Sequence, residues 1–86
     1  VPEISRFLGI VIGMFYKDHN PPHFHATYGD YEIAVSIRDG AVLWGTFPKR
    51  ALAHVMEWRE AHVAELEQDW ERAREKQPLL PVEPLE

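Results

Sequence analysis

Residues 23–46 read HFHATYGDYEIAVSIRDGAVLWGT, and the period of this stretch decides the fold. Phe24, Ala26 and Tyr28 fall on one side of an extended chain, and His23, His25 and Thr27 on the other. After the Gly29-Asp30 turn, Tyr31, Ile33, Val35 and Ile37 alternate with Glu32, Ala34, Ser36 and Arg38, the pattern of a half-buried strand. Asp39-Gly40 is a strong hairpin signal, and a shorter strand follows over 41–46. Strands joined by such short turns pair antiparallel, in sequence order.

Outward from this meander, the N-terminal side adds one more strand and the C-terminal side a helix. Residues 6–17 are rich in apolar, β-branched and aromatic side chains and read as a single strand. Leu8, Ile10, Ile12, Met14 and Tyr16 form its large face, directed at the core. Gly9 and Gly13 thin the other face, which is expected to lie against something bulky. Pro21 and Pro22 have no N–H to give a ladder, so residues 18–22 form a turn.

Pro48 suits the first position of a helix, where a missing N–H is no loss. From there to about Lys76, Leu52, Val55, Met56, Val63, Leu66, Trp70 and Ala73 recur at helical steps. Glu57, Glu60, Glu65, Glu67, Asp69 and Glu71 mostly cover the opposite, solvated side, which a basic partner could also use. The predicted fold is therefore α+β: a four-stranded antiparallel meander with a long C-terminal helix across one face. A straight helix over 48–76 would be roughly 43 Å long, and a six-residue strand only about 20 Å. A straight helix must overhang the sheet. It either bends near Arg59–Val63 or lays its second half, with Trp70, on a partner chain. The tail QPLLPVEPLE, with its three prolines, reads as an extended strap.

Composition narrows the function classes. The chain has 86 residues, 45% of them hydrophobic, enough for one small domain with one core. With no cysteine, disulfides and thiolate metal sites are ruled out. Nine basic against fourteen acidic residues give a net charge of −5, unfavourable for non-specific nucleic-acid binding except through a local basic patch. The apolar run near the N-terminus has no basic flank and is too short to span a bilayer. A cytoplasmic location is the expectation.

Chemistry concentrates in DHNPPHFH, residues 18–25. His23 and His25 lie two apart on a strand, so both imidazoles leave the same face about 6–7 Å apart at their Cα atoms. Two such rings can converge on one divalent ion such as zinc, with His19 as a third ligand and Asp18 as a carboxylate ligand or an orienting acceptor. The same residues also make good turn chemistry, with Asp and Asn side chains bonded to nearby backbone N–H groups, and that reading stands beside the metal one. A third reading is metal-free acid–base catalysis of a small hydrolase or ribonuclease. It would use His19, His23 or His25, with Lys17, Arg38 or Arg6 stabilising a phosphorane-like transition state. Asp18, Asp30, Glu32 and Asp39 oppose it by repelling phosphate. His54 and His62 are too far apart on the helix to share an ion. Lys49 and Arg50 oppose the dipole at the helix start, a weak pointer to an acidic partner.

The segments ISRFLGI, YKDHNPPHFHA and the Trp-bearing helix, together with the proline-rich end, resemble the bacterial domain-of-unknown-function family 4160. The likeness covers nearly the whole chain. The resemblance implies a short cytoplasmic protein, often encoded beside another small domain in a toxin–antitoxin-like arrangement, and puts His19, His23 and His25 within the family signature. It brings no established catalytic residues. The leading expectation is an interaction module of a two-protein regulatory system, joined to a small protein partner or to a second copy through the C-terminal helix. The rival is the histidine-dependent enzyme, with or without metal.

Overall fold

Alternating apolar residues with one covered face produce a single antiparallel sheet, and the computed structural model describes it over residues 2–16 and 18–86. Five strands run in sequence order: β1 (Glu3–Phe7), β2 (Ile10–Gly13), β3 (His23–Tyr28), β4 (Tyr31–Ser36) and β5 (Val42–Thr46). Two helices follow, α1 (Lys49–Ala61) and α2 (Val63–Arg74). The architecture is α+β, with the helices on one face of the sheet.

The strand count is five rather than four, because the expected strand over 6–17 is a hairpin. Leu8 and Gly9 both take positive φ, 52° and 80°, which makes the two-residue loop whose twist suits paired strands. The sequence hides this turn: Leu8 is apolar and in phase with Ile10 and Ile12, yet it is 62% exposed at the loop tip. Ile10, Ile12 and Met14 do enter the core, joined by Ile4 and Phe7 from β1. At the other end of the sheet, Gly45 sits at φ +91°, and a Cβ there would fall 2.1 Å from the Glu32 carbonyl oxygen. No other residue fits that approach, and the β4–β5 register shifts beside it, between Ala34 and Val35.

The expected single helix over 48–76 is two helices. His62, at φ −131° and ψ 25°, breaks the run within the Arg59–Val63 window. Its ring lies 5.5 Å from that of Trp58, and its Nδ1 is 2.7 Å from Glu65 Oε1. Pro48 caps α1 rather than starting it, and its carbonyl accepts the Leu52 N–H. The bend removes the overhang. The molecule measures 33 × 25 × 22 Å, and α2 buries Leu66, Trp70 and Ala73 where α1 buries Ala51, Val55 and Trp58. No helix among the described residues is long and apolar enough to cross a membrane.

The proline-rich tail is a strap. Val82 is buried and donates its N–H to Ile4 O on the β1 edge, while Glu83 O accepts the indole N–H of Trp58. Asp69 belongs to this strap and not to the solvated acidic side: it is 1% exposed, and its Oδ1 accepts from Leu80 N and from Arg72, both at 2.9 Å.

Candidate metal-binding cleft

The sheet pleat sorts β3 into two sets of side chains. Phe24 and Ala26 are fully buried on the helix side. His23 and His25 leave the opposite face. His25 lies in a cross-strand row with Gly13, Ala34 and Trp44, one residue from each of four strands. Both imidazoles are nonetheless well covered, with 5% and 6% exposure for the two residues. Phe15 meets the His25 ring edge-on at 4.6 Å, Trp44 lies 5.6 Å from it, and Trp70 lies 5.3 Å from the His23 ring.

The chain between β2 and β3 returns over this face and delivers Asp18. Its Oδ2 lies 2.9 Å from His23 Nε2 and 3.3 Å from His25 Nε2. Its Oδ1 accepts the backbone N–H of His19 at 3.0 Å. Burial pushes the Asp18 carboxyl upward. The His19 N–H, the bond from His25 and the charge and bond of His23 outweigh it, and hold the group below its ordinary value. The site therefore favours a carboxylate at this point, with both imidazoles aimed at one of its oxygens.

The outer ring nitrogens also face oxygens. His23 Nδ1 is 2.7 Å from Pro21 O, an acceptor only, so Nδ1 carries the hydrogen. In a neutral ring Nε2 then presents a lone pair to Asp18. His25 Nδ1 is buried without a hydrogen-bond partner, and the nearest carboxylate, Glu32 Oε2, is 3.5 Å away. Three of the four ring nitrogens have an oxygen within hydrogen-bond reach, and two neutral imidazoles own only two N–H groups between them. His25 Nε2–H can donate to Asp18, so a neutral pair of rings leaves one lone pair, that of His23 Nε2, against the carboxylate. A divalent ion held by Asp18 Oδ2 and the two Nε2 atoms would turn that contact into ligation and would leave the His23 Nδ1–H on Pro21 O. Ligands held about 2.0–2.1 Å from one ion lie roughly 2.9–3.4 Å apart at angles between 90° and tetrahedral, and the observed 2.9 and 3.3 Å fall in that interval. The three donor atoms lie within 4.8 Å of one another.

Above the three donors opens a cleft of about 470 Å³, walled by Phe15, Tyr16, Leu43 and Trp44, with His19 and Asn20 also lining it. A family model described as "Domain of unknown function (DUF4160)" matches residues 9–71. The chain belongs to this family. The DUF4160 match runs from the β1–β2 turn into α2, so it holds every residue of the cleft and leaves out β1 and the strap. No curated protein and no solved structure matches the chain.

Of the site residues read from the sequence, the DUF4160 fold brings Asp18, His23 and His25 together. The His19 side chain is 92% exposed, and its Nδ1 lies 3.3 Å from Asp18 Oδ1. It stands at the rim, on the oxygen facing away from the other two rings. Arg38 is outside the cleft and 3.6 Å from Glu67, and Arg6 pairs with Glu3. Lys17 lies outside the described residues. His54 and His62 are elsewhere, His54 beside Tyr28 and Pro48 and His62 at the helix break. The sequence reading missed the walls Phe15, Tyr16, Leu43 and Trp44, and the role of Glu32 behind His25. The period-two pattern could have placed Trp44 on the side of Ala34 and His25, had the β4–β5 register been known.

Proposed function

We propose that this chain holds one divalent transition-metal ion at Asp18, His23 and His25, and that the centre serves metal-assisted hydrolysis of a small ligand in the cleft. The reading rests on one observation: Asp18 Oδ2 faces both Nε2 atoms while Pro21 O fixes the hydrogen of His23 on Nδ1. Two histidines and a carboxylate suit zinc and its neighbours, with imidazole the main donor. An ion with three protein ligands supplies a Lewis acid and a source of hydroxide near neutral pH. Pro21 O holds the His23 ring in its coordinating orientation, and Glu32, 3.5 Å from His25 Nδ1, is the nearest carboxylate behind the other ring. His19, at the rim and open to solvent, can pass a proton between a reacting ligand and water.

Elemental analysis of protein purified without chelator and dialysed against cobalt or zinc tests this. The expected result is one ion per chain, falling to background in the His23→Ala, His25→Ala double variant. An unchanged metal content in that variant would sink the proposal.

A second reading keeps the chain as a binding module in a two-protein, toxin–antitoxin-like system or in a homodimer. What supports it is the β5 edge. Val42, Leu43 and Trp44 are all exposed there, whereas the β1 edge is partly covered by the strap. Trp70 is buried within its own chain, so α2 does not offer it to a partner. An exposed apolar edge strand invites another strand. Light scattering on the purified chain separates the readings: any association seen should disappear in Leu43→Lys while the metal content stays the same. Association that survives Leu43→Lys would remove β5 as its site.

A further inference from the structure

We infer that the cleft takes a planar aromatic ring bearing a monoanionic oxygen donor, such as an aryl carboxylate or hydroxamate. The inference rests on the metal reading above and adds the class of ligand. Three observations carry it. The first is the wall chemistry. Phe15, Tyr16 and Trp44 come from two separate segments, yet all line one cleft, and each keeps between 38% and 49% of its surface exposed. Burying such rings in the core would be the ordinary outcome. Here the loop after β2 and the edge strand β5 hold them around a space of about 470 Å³, within the range that suits a small organic ligand.

The second is position. Phe15 and Trp44 both pack against the His25 imidazole, at 4.6 and 5.6 Å between ring centroids. A donor atom completing the coordination begun by His25 Nε2 is therefore within one ring's reach of both. A flat ring attached to that donor lies along the walls, where stacked or edge-to-face contacts are available.

The third is charge. A divalent ion with the Asp18 carboxylate leaves one positive charge facing the cleft. A single anionic donor neutralises it; a dianion would overshoot beside Asp18. Aromatic body and monoanionic head are thus selected by different parts of the same cleft.

Two hydroxamates that share a chelating head and differ only in the ring give a direct test. Benzohydroxamate and acetohydroxamate are titrated into the cobalt-loaded chain, and binding is read from the cobalt visible spectrum. Benzohydroxamate is expected to bind roughly tenfold more tightly than acetohydroxamate. Trp44→Ala should remove most of that preference while acetohydroxamate binding persists, and Trp44→Phe should restore much of it. Tyr16→Ala provides a second wall variant if Trp44→Ala does not fold. A chain that takes up cobalt and binds both hydroxamates equally overturns this inference and leaves the metal centre standing. Preference for the aryl ligand that survives both wall variants also overturns it. A chain that takes up no cobalt overturns both.

Discussion

Replacing His25 with alanine is expected to abolish the stabilisation of this protein by zinc. Anything that binds the folded chain and not the unfolded one adds RT ln(1 + [L]/Kd), about 2.7 kcal/mol at a hundredfold excess over Kd. For a domain of this size that corresponds to a rise of roughly 10–20 °C in Tm. The rise should appear in the wild-type chain and be absent from His25→Ala, because two donors without the second imidazole no longer enclose the ion. Glu32→Gln separates ligation from orientation. Glu32 does not touch the ion in this account but faces His25 Nδ1 at 3.5 Å, so its loss should weaken zinc about 10–100-fold without eliminating binding. Thermal denaturation with and without zinc, in the three proteins, checks both statements. An equal zinc effect in wild type and His25→Ala would contradict them.

The largest effect on folding itself is expected at Trp58. Its ring is fully buried between Phe7 and Phe24, at 5.5 and 5.6 Å between centroids, with His62 behind it at 5.5 Å. Its Nε1–H is donated to Glu83 O at 2.8 Å, so one side chain joins sheet, helix break and strap. Trp58→Ala should cost about 3–5 kcal/mol through lost burial and the cavity left behind. Total stability for a chain this short is on the order of 5–10 kcal/mol, so the variant should be close to unfolding at room temperature. Trp58→Phe keeps most of the ring and loses the bond to Glu83. The lost hydrogen bond should cost about 0.5–1.5 kcal/mol, with some further loss of packing. It should also make the 77–86 segment more open to proteolysis. Urea denaturation gives the free energies. A loss under about 1 kcal/mol in Trp58→Ala would show that the three layers do not meet at this residue.

The sequence carried much of this fold and part of the site, for identifiable reasons. The 23–46 stretch was legible because one face of the sheet is buried under helices, and a period of two is what such a strand requires. The same period put His23 and His25 side by side. The β1–β2 turn was not legible, since Leu8-Gly9 lacks the usual turn residues and Leu8 continues the apolar alternation around it. Tyr28, grouped with Phe24 and Ala26, is at the end of its strand and half exposed. Length alone left a bend near Arg59–Val63 or a partner chain as alternatives; the break is at His62, and no glycine or proline marks it.

What the sequence could not show is contact between segments that only the tertiary fold brings together. Asp18 was read beside the two imidazoles from the 18–25 stretch, but the aromatic walls around them come from Phe15, Tyr16, Leu43 and Trp44, and nothing local to 18–25 states that. Asp69 reads as one more surface carboxylate of an acidic helix. It is buried because the backbone N–H of Leu80, eleven residues on, needs an acceptor once the strap is laid down. Trp44 is a cleft wall because it shares the face of Ala34 and His25, opposite the face that the helices cover.

The central claim is positional, and anomalous diffraction from crystals of the zinc-loaded chain tests it most directly. The expected result is a single anomalous peak about 2.0–2.2 Å from Asp18 Oδ2, His23 Nε2 and His25 Nε2 together. A peak on His19, or on the His62–Glu65 pair, with none between those three atoms would contradict it.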